Sequence, residues 1–255
     1  MAKKKFGQNF LIDKNIARKI LSFEKIEKQN ILEIGPGNLA LTKEIIIQQP
    51  KKYLGIEIDK NLIEKINNEE LLSNIIHEDA LKVDELELFN KDNFTVISNL
   101  PFNISSQLLI KWCFLQNNFN CINSMTLMFQ KELGERLISK INSKKFGKIT
   151  IISNAFFNIK KVLLVSKNNF FPRPKVDAIV LKFDKLKKNK IKKEKFNKLQ
   201  KITSFFFNER RKKNKKKFLK LFSKEQIMQH NLEKYFDLRA ENLDQDLYYK
   251  LTDII

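Results

Sequence analysis

The chain has 255 residues, of which 49 are Lys or Arg and 29 are Asp or Glu, for a formal net charge of +20. That length accommodates one large α/β domain with a small appendage, and a charge of this size implies a polyanionic partner. No apolar run reaches about 18 residues, the amino terminus has lysines but no hydrophobic stretch behind them, and Cys113, Cys121, His77 and His230 fit neither a disulfide framework nor a zinc site, so a cytoplasmic protein without membrane segment or metal is expected.

In chain order, Asn30-Ile31-Leu32-Glu33-Ile34 reads as a buried strand, and Gly35-Pro36-Gly37 turns from it into a helical stretch from Ala40 to Gln48. A glycine turn at a helix N-terminus lets backbone approach a ligand closely. About twenty residues further on, Tyr53-Leu54-Gly55-Ile56 forms a second strand ending in Glu57, the spacing at which an acidic residue takes ribose hydroxyls in nucleotide-binding α/β folds. A third run, Asn74-Ile75-Ile76-His77, ends at Glu78-Asp79-Ala80 and puts Asp79 at the adenine end of the same crevice. Phe94-Thr95-Val96-Ile97 then leads into Asn99-Leu100-Pro101-Phe102, followed by a helix-like segment from Ser105 to Phe114.

Further strands are expected near 123–129, 160–166 and 176–183, the last two as an antiparallel edge. Alternation of these runs with helical patterns predicts an α/β fold, a Rossmann-like, mainly parallel, seven-stranded sheet with helices on both faces. After Asp184 the pattern becomes helical and basic, with Phe196, Leu199, Ile202 and Phe206 spaced by 3, 3 and 4. The expected organisation is therefore a catalytic domain over residues 1–184 and a basic helical RNA-binding domain over 185–255.

Asn99-Leu100-Pro101-Phe102 carries the chemistry. Proline holds Leu100 extended, so the Asn99 side-chain oxygen and the Leu100 carbonyl offer two acceptors to an exocyclic NH2, while the Phe102 ring offers a stacking face. Taken alone, the four residues read equally well as a loop opener after a strand. The order of glycine turn, acidic residue, Asp-Ala and Asn-x-Pro-aromatic, each at a strand's carboxyl end, points to an enzyme using S-adenosylmethionine (SAM). An NAD site is disfavoured because G-x-G-x-x-G is absent. No strong base accompanies the set, so catalysis rests on positioning and electrostatics, and the base must be unpaired or flipped to reach the pocket. Between Lys185 and Lys220, 17 Lys or Arg face two acids, Glu194 and Glu209. Part of that is a solvated charge run in a lysine-rich chain, but Arg210-Arg211-Lys212-Lys213 beside Phe205-Phe206-Phe207 combines cations with apolar anchoring and reads as a phosphate-binding cluster.

Phe6-Gly7-Gln8-Asn9-Phe10-Leu11, Glu33-Ile34-Gly35-Pro36-Gly37, Asn99 through Ser105, Phe171-Pro172-Arg173-Pro174-Lys175-Val176-Asp177 and Leu238-Arg239-Ala240-Glu241-Asn242-Leu243 together resemble the ribosomal RNA adenine dimethyltransferases, and within them the bacterial small-subunit branch. The resemblance implies that Asn9 and Leu11 close over SAM, Gly35 passes beneath it, Glu57 takes the ribose, Asp79 the adenine amine, and Asn99 lies near the methionine end and the target amine. It also implies dimethylation of N6 of two adjacent adenosines in the 3′-terminal hairpin loop of 16S rRNA, in the immature 30S subunit, by a monomer. Phe171 either covers the target base's second face or packs in the core. Two positions depart from the family pattern: Phe102 replaces the usual Tyr, and Leu39 stands where a third small residue of the glycine loop is usual. The alternatives are a 23S rRNA adenine methyltransferase of the macrolide-resistance type, whose Asn-Ile-Pro-Tyr differs from Asn99-Leu100-Pro101-Phe102, and a non-catalytic RNA-binding assembly or transcription factor on the same fold.

Overall fold

Five consecutive buried residues make β2 (Asn30–Ile34) a central strand, since a parallel strand inside a sheet is covered on both faces. The computed structural model describes residues 8–255, so Phe6 and Gly7 of the amino-terminal motif lie outside the described residues. Over the described residues the strands are β1 (Phe10–Leu11), β2, β3 (Lys52–Glu57), β4 (Ile75–His77), β5 (Phe94–Asn99), β6 (Ile122–Gln130), β7 (Phe157–Val165), β8 (Phe170–Phe171) and β9 (Ala178–Lys185). Seven form one sheet in the order β4-β3-β2-β5-β6-β9-β7.

β2 pairs in parallel with both β3 and β5, β3 with β4, and β5 with β6, while β9 runs antiparallel to β6. The expected seven-stranded, mainly parallel sheet is thus present. The chain builds outward from β2 through β3 to β4, then returns to start β5 on β2's other side. That reversal opens a crevice at the carboxyl ends of β2 and β5, where ligands bind in doubly wound sheets. Register aligns the strand ends: Ile34 pairs with Ile56, Glu57 with His77, and Leu32 with Val96. Gly35, Glu57 and Asn99 therefore emerge along one edge.

β1 and β8 form a separate antiparallel ribbon, Phe10 opposite Phe171 and Leu11 opposite Phe170. Leu11 and Phe170 are buried in the core cluster that includes Ile31, Leu41 and Ile97.

The chain divides into two units. The first takes the described residues up to Gly134 together with Asn158–Lys185; the second takes Glu135–Phe157 and Leu186–Ile255. This division differs from the expected boundary at 184 in one segment, Glu135–Phe157, which joins the carboxyl-terminal helices. The packing explains why. The Tyr249 hydroxyl donates to the Ile151 carbonyl (2.8 Å), and the Phe156 ring lies 5.8 Å from Phe196. Within this second unit, helix Phe196–Asn208 buries the expected Phe196, Leu199, Ile202 and Phe206. Phe206 meets Phe218 and Tyr248 edge-on, at 5.2 and 5.6 Å between ring centres. Lys217 is nearly buried and closes the helix end by donating from Nζ to the carbonyls of Phe206 (2.5 Å) and Glu209 (3.1 Å). That satisfies carbonyls that a helix terminus leaves without intrahelical partners.

Candidate active site

The crevice in the first unit is lined by Gly35 and Gly37 of the turn, Glu57 and Ile58 at the end of β3, Asn99 to Phe102 after β5, and Gln8 to Phe10 of the amino-terminal segment, around about 440 Å³ of space open to solvent.

The turn is built for close approach. Gly35 and Gly37 have φ of +66° and +57°, the left-handed region that glycine enters without steric cost. A Cβ on Gly37 would come within 2.9 Å of the Phe10 ring, so the ring lies directly against the turn. Leu39 takes a φ of +64° as well, so its departure from a small residue places a side chain where the backbone conformation favours glycine.

Glu57 is buried, with one oxygen accepting from the Gly37 N–H (3.2 Å) and the other from the Asp59 N–H (2.9 Å). Burial pushes its carboxyl above the ordinary range, and the two backbone donors pull it back. The acid thus ties the glycine turn to the end of β3. Ile58, the next residue, is 42% exposed and supplies an apolar face at the same edge. Behind the turn, Glu33 is buried and one of its oxygens accepts from Thr42 Oγ1 and the Tyr53 hydroxyl, both at 2.7 Å.

At the end of β5, Asn99 Nδ2 donates to the Asn9 carbonyl (3.0 Å). Among the described residues, nothing donates to Asn99 Oδ1 or to the Leu100 carbonyl. The Pro101 carbonyl accepts from the Ile104 N–H (3.2 Å) and that of Phe102 from Ser105 Oγ (3.2 Å), which turns the chain into helix Ser105–Phe119 and leaves Phe102 half-buried on the crevice wall.

The structure therefore brings together Asn9, Gly35, Glu57, Asn99, Leu100, Pro101 and Phe102. Three other expected residues stand outside that group. Asp79 lies just beyond β4 but does not line the crevice; its Oδ1 accepts from the Leu81 N–H (2.9 Å). The turn that follows is held by Lys111, whose Nζ donates to the Ala80 carbonyl (2.8 Å) and pairs with buried Glu85 (2.9 Å). The Leu11 side chain belongs to the core rather than to the crevice. Phe171 is 69% exposed, which removes the core-packing reading, and it is Phe170 that fills the core. Sequence reasoning missed Gln8, Phe10 and Ile58 as lining residues. Ile58 carried a signal, an apolar residue directly after an acid that ends a buried strand.

In the second unit, the four cations at 210–213 are not equivalent. Arg210 pairs with Glu241 and donates to the Ser143 carbonyl (3.2 Å), and Lys213 pairs with exposed Asp237 (2.8 Å). Lys212 pairs with Glu209, one turn back (2.5 Å), and with Arg211 it lines an open concavity that also takes in Lys144, Arg239 and the Arg210–Glu241 pair. Among the described residues, no group of three or more His, Cys, Asp or Glu stands ready to hold a metal, and no helix is long and apolar enough to cross a membrane.

A doubly wound sheet whose switch point carries a glycine turn, a buried acid and an Asn-x-Pro-aromatic strand end defines a SAM-dependent methyltransferase, and the crevice's chemistry suits that cofactor: a carboxylate, an apolar face at Ile58 and two glycines that let the backbone come close. The chain matches the family model described as ribosomal RNA adenine dimethylase over residues 1–255, and it belongs to that family. It is 40% identical over 256 residues to the ribosomal RNA small subunit methyltransferase A of Pelagibacter ubique (strain HTCC1062), covering 98% of this chain and 95% of the relative. Among solved structures it is similar to a dimethyladenosine transferase from Plasmodium falciparum, with a TM-score of 0.76 and 25% identity over 95% of each chain. The 23S rRNA methyltransferase ErmE shares the fold, with a TM-score of 0.71 at 17% identity, covering 96% of this chain and 99% of that one.

Proposed function

We propose that this chain transfers methyl groups from SAM to N6 of two adjacent adenosines in the 3′-terminal hairpin loop of 16S rRNA, on the immature 30S subunit, acting in the cytoplasm as a monomer. The observation that carries the reading is the strand end of β5, where Asn99 Oδ1 and the Leu100 carbonyl are two acceptors beside the half-buried Phe102 ring. When bound, SAM supplies a methyl group already activated on a sulfonium.

Adenine N6 is a weak nucleophile because its lone pair is delocalised into the ring. Hydrogen bonds from its two N–H groups to Asn99 and Leu100 favour a pyramidal nitrogen and aim the lone pair into the crevice. Phe102 stacks on the base, an interaction of about 1–3 kcal/mol. Glu57 holds the ribose hydroxyls, Asn9 and Gly35 border the cofactor, and Asp79 is assigned to the adenine amine by the family resemblance alone. Exposed Phe171 covers the base's other face, and Arg211 and Lys212 supply phosphate contacts that position the RNA without reading its sequence.

Radiolabelled SAM with small subunits lacking the modification and, in parallel, with unmodified large-subunit RNA, followed by mapping of the methylated nucleotides, tests this. Label in two adjacent loop adenosines is expected. Label confined to large-subunit RNA would establish the macrolide-resistance type of activity, and RNA binding without transfer would establish a non-catalytic assembly factor.

A further inference from the structure

Besides the pairing of Phe10 and Leu11 with β8, three side-chain hydrogen bonds hold the amino-terminal segment Gln8–Leu11. Gln8 Nε2 donates to Asp59 Oδ2 (2.9 Å), Asn99 Nδ2 to the Asn9 carbonyl (3.0 Å), and Asn38 Nδ2 to the Leu11 carbonyl (2.8 Å). Two of the three are side-chain amides donating to backbone carbonyls of the segment. A carbonyl only accepts, so Asn99 must turn its NH2 to Asn9 and its oxygen the other way; an amide has no intrinsic preference between the two orientations. The orientation matters because the target amine brings two donors and needs an acceptor.

Asn38 lies on the glycine turn, outside the crevice lining, and uses both ends of its amide: Oδ1 accepts from the Ala40 N–H (3.3 Å) and Nδ2 holds Leu11, two residues along the backbone from the carbonyl that orients Asn99. We propose that Asn38 is a positioning residue for methyl transfer: by fixing the segment at Leu11 it keeps the Asn9 carbonyl on Asn99 Nδ2, and so keeps Asn99 Oδ1 available to the amine. The proposal rests on the reading of Asn99 as the acceptor for adenine N6. It makes the segment more than a cover for the cofactor, because cofactor closure and the polarity of the base site share one hydrogen bond.

Asn38→Asp retains an acceptor for the Ala40 N–H and loses the donor to Leu11, Asn38→Ala loses both without adding a charge, and using both separates loss of the donor from gain of a charge. Trp112 fluorescence on unfolding checks that each variant is folded. The expected result on unmodified small subunits is a fall in kcat of about three- to tenfold, the size of one hydrogen bond, that persists at saturating SAM. Full recovery of kcat at saturating SAM in both variants would overturn the proposal, leaving the segment as a cofactor cover alone. A second readout needs no RNA. The Asn99 side-chain NH2 resonance, identified by its disappearance in Asn99→Asp, should shift in both Asn38 variants with SAM bound, and an unmoved resonance would equally overturn the proposal. Failure of the wild-type chain to methylate small subunits would instead count against the proposed function, and the resonance would still decide the role of Asn38.

Discussion

Glu33 sits in β2 two residues before Gly35, buried, with the Thr42 and Tyr53 hydroxyls on one oxygen. Burial raises its carboxyl from the ordinary 4.5 to about 7, against the pull of those hydrogen bonds and with a smaller push from the nearby charge of Glu57. At about 1.36 kcal/mol per unit this amounts to about 3 kcal/mol. The folded chain holds a proton that the unfolded chain releases. The contribution to stability is therefore complete below pH 4.5, declines as pH rises, and is lost once pH has passed the folded value near 7. Glu33→Gln keeps a carbonyl oxygen to accept from Thr42 and Tyr53 and removes the titration. Urea unfolding followed by Trp112, the chain's single tryptophan, which is buried in the same unit, reads the effect directly. Between pH 4.5 and pH 8 the wild type should lose about 3 kcal/mol relative to the variant, a relative midpoint shift of about 1–3 M urea. Glu85, also raised by burial, titrates in both proteins and cancels in the difference, and so does Glu57 apart from its own small push on Glu33. Parallel stability profiles across that range would show that Glu33 is not held protonated by its surroundings and would refute the argument.

Glu57→Ala should weaken SAM binding by about 10- to 150-fold, the equivalent of about 1.5–3 kcal/mol for charged hydrogen bonds, measured by calorimetry on protein shown to be folded. Asn99→Ala should abolish most methyl transfer while subunit binding stays nearly intact, and Phe102→Tyr should remain active where Phe102→Ala does not; single-turnover assays on unmodified subunits distinguish these. Replacing Arg211 and Lys212 with Gln should lower the salt dependence of RNA binding by about one unit of log–log slope for each phosphate no longer neutralised, with SAM affinity unchanged, whereas Arg210→Gln, which breaks the pair with Glu241, should lower thermal stability. Lys217→Met leaves the Phe206 and Glu209 carbonyls without their donor and should destabilise the second unit by about 2–4 kcal/mol, read from thermal unfolding.

The crevice strands were legible because each is an apolar run cut off by a residue with work to do: Gly35 after Ile34, Glu57 after Ile56, Asn99 after the run from Phe94. What stayed hidden depends on partners distant in sequence. Glu135–Phe157 carries no composition of its own that assigns it to the carboxyl-terminal helices; the Tyr249 hydroxyl on Ile151 does that from 98 residues away. The four cations at 210–213 look alike in sequence, and only Glu241, 31 residues on, singles out Arg210. Leu39 was visible as a departure, but that its φ is positive, at a cost of about 1–2 kcal/mol for a side chain other than glycine, follows only from the turn's geometry. Strands of two residues, such as β1 and β8, are too short to show any alternation.

Those two short strands set a limit on how this region can vary in length. Leu11 opposite Phe170 faces the core, whereas Phe10 is half-buried on the crevice and Phe171 exposed, so the two faces of the ribbon alternate residue by residue. Insertion of one residue between Asn169 and Phe170, or deletion of Asn169, would turn the 69%-exposed Phe171 inward and drive Phe170, now 3% exposed, to the surface. The segment that closes on the glycine turn would lose its partner at the same time. Substitutions in this ribbon can be absorbed one side chain at a time, whereas a change of length by one exchanges its two faces at once, so lineages of this chain should accumulate replacements here and exclude indels.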